Sequence, residues 1–265
     1  MSDSQALIKV NNLSSAYGER KVLFDIDLEV KQGEILVVMG GSGSGKSTLL
    51  RNMLGLMMPS QGEILFNGKD ICKVNQAELA KLRQSMGVAF QGGALLSSLS
   101  VGDNIKLPLR QHTDLDEKTI SIMARLKLEL MNLAEYEDLM PSELSGGMLK
   151  RAGLARAVIM DPKILFFDEP SAGLDPVTSV ELDQLILDLR EAMNMTIIVV
   201  THELESAFKI ADRIAVLFDG KLVTIGSVEH IKACSDERVV NLINRKPRIN
   251  PLDADKYLSR LTKGS

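Results

Sequence analysis

Apolar positions along the chain follow two periods. Over residues 22–30 they alternate with Asp25, Asp27 and Glu29, the pattern of a half-buried antiparallel strand. Residues 34–39, 164–167 and 196–200 are near-continuous apolar runs, as central parallel strands buried on both faces require. Helical spacing takes over at 117–130 and at 177–193, where Leu182, Leu185, Ile186 and Leu189 share one face. Shorter strands are predicted at 8–13, 63–66 and 86–90, and helices at 46–56, 76–83 and 149–160. Turn chemistry separates these elements at 14–18, 32–33, 59–62 and 67–68. Asp219-Gly220 joins strands 214–218 and 221–225 into a hairpin. Strands alternating with helices predict an α/β fold. Composition shifts to helix formers over about 92–160 before strands resume, which marks an inserted helical lobe within one domain over 1–234. A helical tail follows at 235–265, broken at 247–251 by Pro-Arg-Ile-Asn-Pro.

The strand at 34–39 runs into Gly40-Gly41-Ser42-Gly43-Ser44-Gly45-Lys46-Ser47-Thr48, which fits the phosphate-binding pattern G-x-x-x-x-G-K-[ST]. The glycines let the backbone turn its N–H groups inward around a polyphosphate, and the helix N-terminus adds partial positive charge. Lys46 then reaches the β- and γ-phosphates, and the Ser47 hydroxyl ligates Mg²⁺. A Gly/Ser linker has no reason to sit between a buried strand and a helix. The chain is expected to bind a nucleotide.

The run at 164–167 delivers Asp168 and Glu169 at its carboxyl end. Charges there are costly unless paired or metal-bound. Beside a P-loop the first carboxylate supports Mg²⁺ and the second polarises a water; the alternative is an acidic turn before Pro170. His202 ends the next strand, at the edge where α/β sheets bind ligands, whereas His112 and His230 read as surface residues. Ser145, Gly146 and Gly147 open the helix at 149–160, either as an anion site or as an ordinary cap. Gln91 follows strand 86–90, free to swing towards a metal or to remain a surface amide. Tyr17, placed in a turn, either stacks on a nucleobase or packs against its own lobe.

Composition changes this picture little. In 265 residues the 45% apolar and 25% charged shares are those of a globular chain. A net charge of −4 argues against nucleic acid as the main ligand. Cys72 and Cys234 match no metal spacing and read as thiols in a reducing compartment. Residues 1–5 lack a signal pattern, and no apolar run approaches the ~20 residues of a membrane helix. A cytoplasmic chain is expected, with any membrane role supplied by a partner. The tail from 235 carries seven Lys/Arg against four Asp/Glu, as a solvated end or as an arm on a second copy.

In this order the motifs resemble the ATPase subunit of an ABC transporter over nearly all of residues 7–230. The P-loop at 40–48, Gln91 as the Q-loop, the signature Leu144-Ser145-Gly146-Gly147-Met148 and the Walker B strand 164–169 carry the likeness. Asp175 matches the D-loop, His202 the switch histidine and Tyr17 the stacking aromatic. The resemblance implies a RecA-like core with an antiparallel β subdomain and a helical lobe. It also implies ATP with Mg²⁺ held by Ser47, Gln91 and Asp168, and two copies that sandwich the nucleotides. Ser145, Gly146 and Gly147 of one copy would contact the γ-phosphate held by Lys46 of the other. Glu169 would orient the attacking water, and Asp175 would sit at the dimer contact.

Met148 stands where most of this family carries glutamine. With residues 90–96 (Phe-Gln-Gly-Gly-Ala-Leu-Leu), Asp103-Asn104-Ile105 and Pro108-Leu109-Arg110, it resembles the ATPases of MCE-type lipid transporters. That implies phospholipid transport between inner and outer membranes, powered from the cytoplasmic face of the inner membrane. The implied partners are a permease, an MCE-domain protein and a STAS-domain protein. A polar-solute importer and a soluble assembly scaffold are the competing readings.

Overall fold

The computed structural model describes residues 6–246. The expectations for 1–5, and for the tail beyond 246, fall outside the described residues. Strands β1 (Ala6–Tyr17) and β2 (Arg20–Lys31) form a hairpin that leads into β3 (Ile35–Met39) and helix α1 (Lys46–Met53). β4 (Gln61–Phe66), β5 (Lys69–Asp70), α2 (Gln76–Gln84) and β6 (Met86–Ala89) follow. The helical lobe holds α3 (Val101–His112), α4 (Glu117–Leu130) and α5 (Gly146–Val158). The chain returns through β7 (Ile164–Asp168), α6 (Pro176–Met193), β8 (Thr196–Thr201) and α7 (Leu204–Ile210). It then adds β9 (Arg213–Phe218), β10 (Lys221–Gly226), α8 (Val228–Lys232) and α9 (Glu237–Ile243).

Two sheets result. A four-stranded sheet, ordered β2-β1-β4-β5, is antiparallel throughout; a six-stranded sheet is ordered β10-β9-β3-β8-β7-β6. In the larger sheet β9, β3, β8, β7 and β6 are parallel, and only β10 runs antiparallel at one edge. The all-apolar strands are the ones covered on both faces. Ile35, Val37 and Met39 of β3 point into one core with the helical lobe, and Leu36 and Val38 into a second core under the antiparallel sheet. Each such side chain contributes roughly 1.5–3 kcal/mol by leaving water. Strands β3, β7 and β8 lie side by side with their carboxyl ends level: Met39 pairs with Thr201, and Asp168 with Val200. That common edge carries the P-loop, Glu169 and His202. The architecture is a RecA-like core with an antiparallel β subdomain and an inserted helical lobe.

The structure corrects three sequence boundaries. β1 does not stop at Leu13 but continues to Tyr17, so the aromatic ends a strand, and the turn is Gly18-Glu19. Ser14 and Ser15, which look like turn residues, are buried and paired: Ser14 Oγ accepts from the Asp25 N–H at 3.1 Å, and the Asn52 amide donates to Ser15 Oγ at 3.2 Å. α1 stops at Met53, three residues before Leu56, because Gly55 turns left-handed (φ 64°) and Leu56 N–H reaches back to Arg51 O at 2.9 Å. α5 starts at Gly146, three residues ahead of Leu149, on the Ser145 cap.

Candidate functional site

Two loop positions admit only glycine. A Cβ on Gly40 would lie 2.3 Å from Leu217 O and 2.5 Å from Ser44 Oγ. Gly45, at φ 103°, would push a Cβ to 2.6 Å from Leu23 Cδ2. Gly45 also caps α1 without a side chain, so the first-turn N–H groups face the loop unshielded. Lys46 is 8% exposed; its ammonium donates to Gly40 O at 2.8 Å and Gly41 O at 3.2 Å and stands 4.0 Å from Glu169 Oε1. Gly43, Ser44, Gly45, Lys46, Ser47 and Thr48 line a pocket of about 380 Å³. Ser44 Oγ is buried there without a hydrogen-bond partner among the described residues. A buried hydroxyl in that condition calls for a polar ligand atom, and an anion oxygen in the loop supplies it. The cradle fits a polyphosphate.

Tyr17, 46% exposed, borders the same pocket. Arg51 Nη1 donates to its phenol oxygen at 3.1 Å. The Thr48 hydroxyl, and then Arg51, pull the phenol's pKa below its ordinary value against the opposing effect of burial. Thr48 and Arg51 are three residues apart and share a helix face, which fixes the ring at the pocket's rim. Sequence reasoning missed Arg51. It also missed Arg20, which lines the pocket from the start of β2; Arg20 pairs with Tyr17 across the two-residue turn Gly18-Glu19.

β7 and β8 bring the acid and the histidine together. Glu169 adopts a left-handed backbone (φ 51°), and its N–H donates to Val200 O at 2.8 Å. Its carboxylate Oε2 accepts from the His202 N–H at 3.3 Å and lies 2.8 Å from His202 Nδ1. Half-buried Asp168 sits one residue earlier. Burial, and then the neighbouring Glu169 charge, push its carboxyl above the ordinary range, while Arg51 and Lys46 oppose the shift. A hydroxyl at Ser47 and a carboxylate at Asp168 are hard oxygen donors, suited to a cation that also binds phosphates. Among the described residues no group of three or more His, Cys, Asp or Glu could cage a metal by itself. His112 and His230 are exposed and lie away from this edge, beside Gln84 and Thr224.

The remaining predicted residues gather elsewhere. Ser145 caps α5, its hydroxyl accepting from Met148 N–H at 3.3 Å. Gly147 packs so tightly on α6 that a Cβ would lie 2.8 Å from Thr178 Cγ2. Asp175 caps α6, accepting from the N–H groups of Val177 and Thr178 at 3.1 and 3.0 Å. The Thr178 hydroxyl, first, holds its carboxyl below the usual carboxylate range. Ser145, Gly146, Gly147 and Asp175 line a second pocket, of about 350 Å³, which shares no residue with the P-loop pocket. Gln91 occupies an exposed turn two residues past β6, lining neither. One chain therefore carries two separate features: a cradle with an acid–histidine pair near it, and a helix cap lining another pocket.

A glycine-rich loop between a buried strand and a helix, with carboxylates at the end of β7, one strand removed from β3 across β8, defines a P-loop nucleoside-triphosphatase. The family model described as ABC transporter matches residues 23–172, more than half of the chain. The chain belongs to the ABC transporter family, as an ATPase that binds and hydrolyses ATP. It is 45% identical over 240 residues to the Haemophilus influenzae intermembrane phospholipid transport system ATP-binding protein MlaF, covering 91% of both chains. It is 41% identical over 245 residues to the probable ribonucleotide transport ATP-binding protein mkl of Mycobacterium leprae, covering 92% of this chain and 70% of that one. Among solved structures it resembles the bacterial ABC transporter cassette MJ0796, determined as a dimer in a post-hydrolysis state with ADP and Pi. The TM-score is 0.77 and the identity 31%, over 83% of this chain and 98% of that one.

Proposed function

We propose that this chain powers phospholipid transport between the inner and outer membranes, from the cytoplasmic face of the inner membrane. The observation that carries this reading is its 45% identity to MlaF over 91% of both chains. Met148 and the segment after β6 support it. Phe90 and Leu96, 42% and 46% exposed, flank Gln91 with apolar surface suited to a membrane partner. Among the described residues no helix is long and apolar enough to cross a membrane, so the route to lipid runs through other chains. A permease, an MCE-domain protein and a STAS-domain protein are the proposed partners.

In the proposed cycle two copies pair so that the P-loop of each faces the Ser145–Gly147 cap of the other. The two non-overlapping pockets and the dimeric form of the similar cassette support this. Lys46 and the P-loop amides hold the β- and γ-phosphates; Glu169 orients water, and His202 holds Glu169 and faces the γ-phosphate. Ser47 and Asp168, with Gln91 swinging in, would hold Mg²⁺, which neutralises phosphate charge when bound. Tyr17 stacks on the adenine. Base–aromatic stacking contributes about 1–3 kcal/mol, so Tyr17→Ala is expected to raise the KM for ATP roughly 5- to 150-fold with little loss of kcat. Tyr17→Phe keeps the ring and should stay near wild type. Equal KM values for Tyr17→Ala and wild type would remove the stacking role.

The transport reading is tested by purifying the tagged protein from detergent-solubilised membranes and identifying what accompanies it. A permease with an MCE-domain protein and bound phospholipid is the expected result. A permease with a solute-binding protein, or with bound nucleotide-like solute as the mkl name suggests, would replace lipid by a polar cargo. Recovery of no membrane partner would remove the transport claim.

A further inference from the structure

Helix α5 touches the turn after Glu169 of its own chain through a residue that lines neither the P-loop pocket nor the Ser145 pocket. Lys150 lies five residues past the Ser145 cap, and its ammonium donates to Pro170 O and Ala172 O, each at 2.5 Å. These carbonyls belong to the short connection between Glu169 and Asp175. Within it Ala172 N–H closes back on Glu169 O at 3.3 Å, and Leu174 N–H on Ser171 O at 3.1 Å. Glu169 itself holds a left-handed backbone, a conformation that persists in a non-glycine residue only where its surroundings over-determine it. The Val200 carbonyl fixes one side of Glu169, and Lys150 fixes the turn on the other. Burial lowers the pKa of Lys150 while the Glu169 charge raises it, so the ammonium also feels the catalytic carboxylate. Charge-assisted bonds to two main-chain carbonyls are strong, directional contacts.

The same helix is seated on the loop after Gln91. A Cβ on Gly153 would lie 2.7 Å from both Gly93 Cα and Gly93 O, and Arg156 Nη2 donates to Gly93 O at 3.1 Å. α5 thus rests at one end on the catalytic turn and farther along on the segment beside the exposed Phe90 and Leu96.

We propose that Lys150 is a positioning residue of the ATPase: from the signature helix it holds residues 170–172 and thereby the placement of the Glu169 carboxylate in the same chain. This rests on Glu169 orienting the attacking water. Without the Lys150 contacts the turn relaxes and Glu169 loses its alignment, while the P-loop, which Lys150 does not touch, keeps its grip on nucleotide.

The test compares Lys150→Met, which keeps the aliphatic stem and removes the donors, with Lys150→Arg, which keeps donors, in protein purified with its membrane partners. Misplacement of a reacting group by about 1 Å lowers a rate by roughly 100-fold. Lys150→Met is therefore expected to lower kcat between about 10- and 100-fold, with an unchanged KM for ATP and only a small fall in Tm. Lys150→Arg is expected to recover most of the rate. Wild-type kcat in Lys150→Met, or a lost rate accompanied by matching losses in ATP affinity and Tm, would overturn the proposal. Glu169→Gln measured alongside separates the two layers. If it keeps the wild-type rate, the reading of Glu169 fails; if it is slow while Lys150→Met is not, only the role of Lys150 fails.

Discussion

Glu169→Gln is expected to stop ATP turnover while leaving ATP bound. The carboxylate stands just past the end of β7, 2.8 Å from His202 Nδ1 and 4.0 Å from the Lys46 ammonium. In the proposed cycle it lies beside the water that attacks the γ-phosphate. An amide of the same shape keeps the packing and can still hydrogen-bond, but it cannot take a developing proton. Loss of a positioned base lowers a rate by roughly 10²- to 10⁴-fold. The P-loop contacts are unaltered, so nucleotide affinity should hold or increase as hydrolysis no longer discharges the site. Steady-state phosphate release and retention of radiolabelled ATP on a desalting column check both halves. A Glu169→Gln protein turning over at the wild-type rate would contradict the assignment.

Lys46→Ala should have the opposite signature, a loss of binding first and of rate as a consequence. The ammonium is nearly enclosed and holds two loop carbonyls while its charge faces the cradle. A hydrogen bond to a charged group contributes about 1.5–3 kcal/mol, so a single lost phosphate contact weakens ATP binding by roughly 10- to 150-fold. Loss of the Gly40 and Gly41 tethers loosens the loop further. Titration with a fluorescent ATP analogue reads the change directly. Lys46→Arg is not a conservative rescue, since a planar guanidinium does not fit a site shaped for a point charge. Unchanged affinity in Lys46→Ala would remove Lys46 from the phosphate site.

Much of this was legible in the chain before any coordinates. Continuous apolar runs identified β3, β7 and β8 because strands covered on both faces leave no polar position, and 117–130 coincides with α4. The P-loop is legible for a similar reason: its chemistry resides in backbone amides, so the glycine spacing itself is the signal. Features that depend on distant partners were hidden. Ser14 and Ser15 read as a turn since nothing local reveals that Asp25 and Asn52 satisfy them inside a strand. Asp175 was singled out through the family likeness and Ser145 as either an anion site or an ordinary cap; each caps a helix in the structure. Arg20, Arg51 and Lys150 escaped notice: an exposed-looking cation gains meaning only once folding brings it to Tyr17 or to the turn after Glu169. The sequence could place Lys46, Glu169 and His202 at the carboxyl edge of the larger sheet but not the cations packed around that edge.

In the proposed cycle each ATP site is completed by a second copy of the chain, since the P-loop and the Ser145–Gly147 cap line separate pockets. Light scattering on Glu169→Gln with and without Mg·ATP reads that pairing. A shift from the 29.0 kDa of one chain to twice that mass is expected on adding ATP. The shift should be absent when Lys46→Ala is added to the same protein. A Glu169→Gln protein that retains ATP and stays at the mass of a single chain would contradict it.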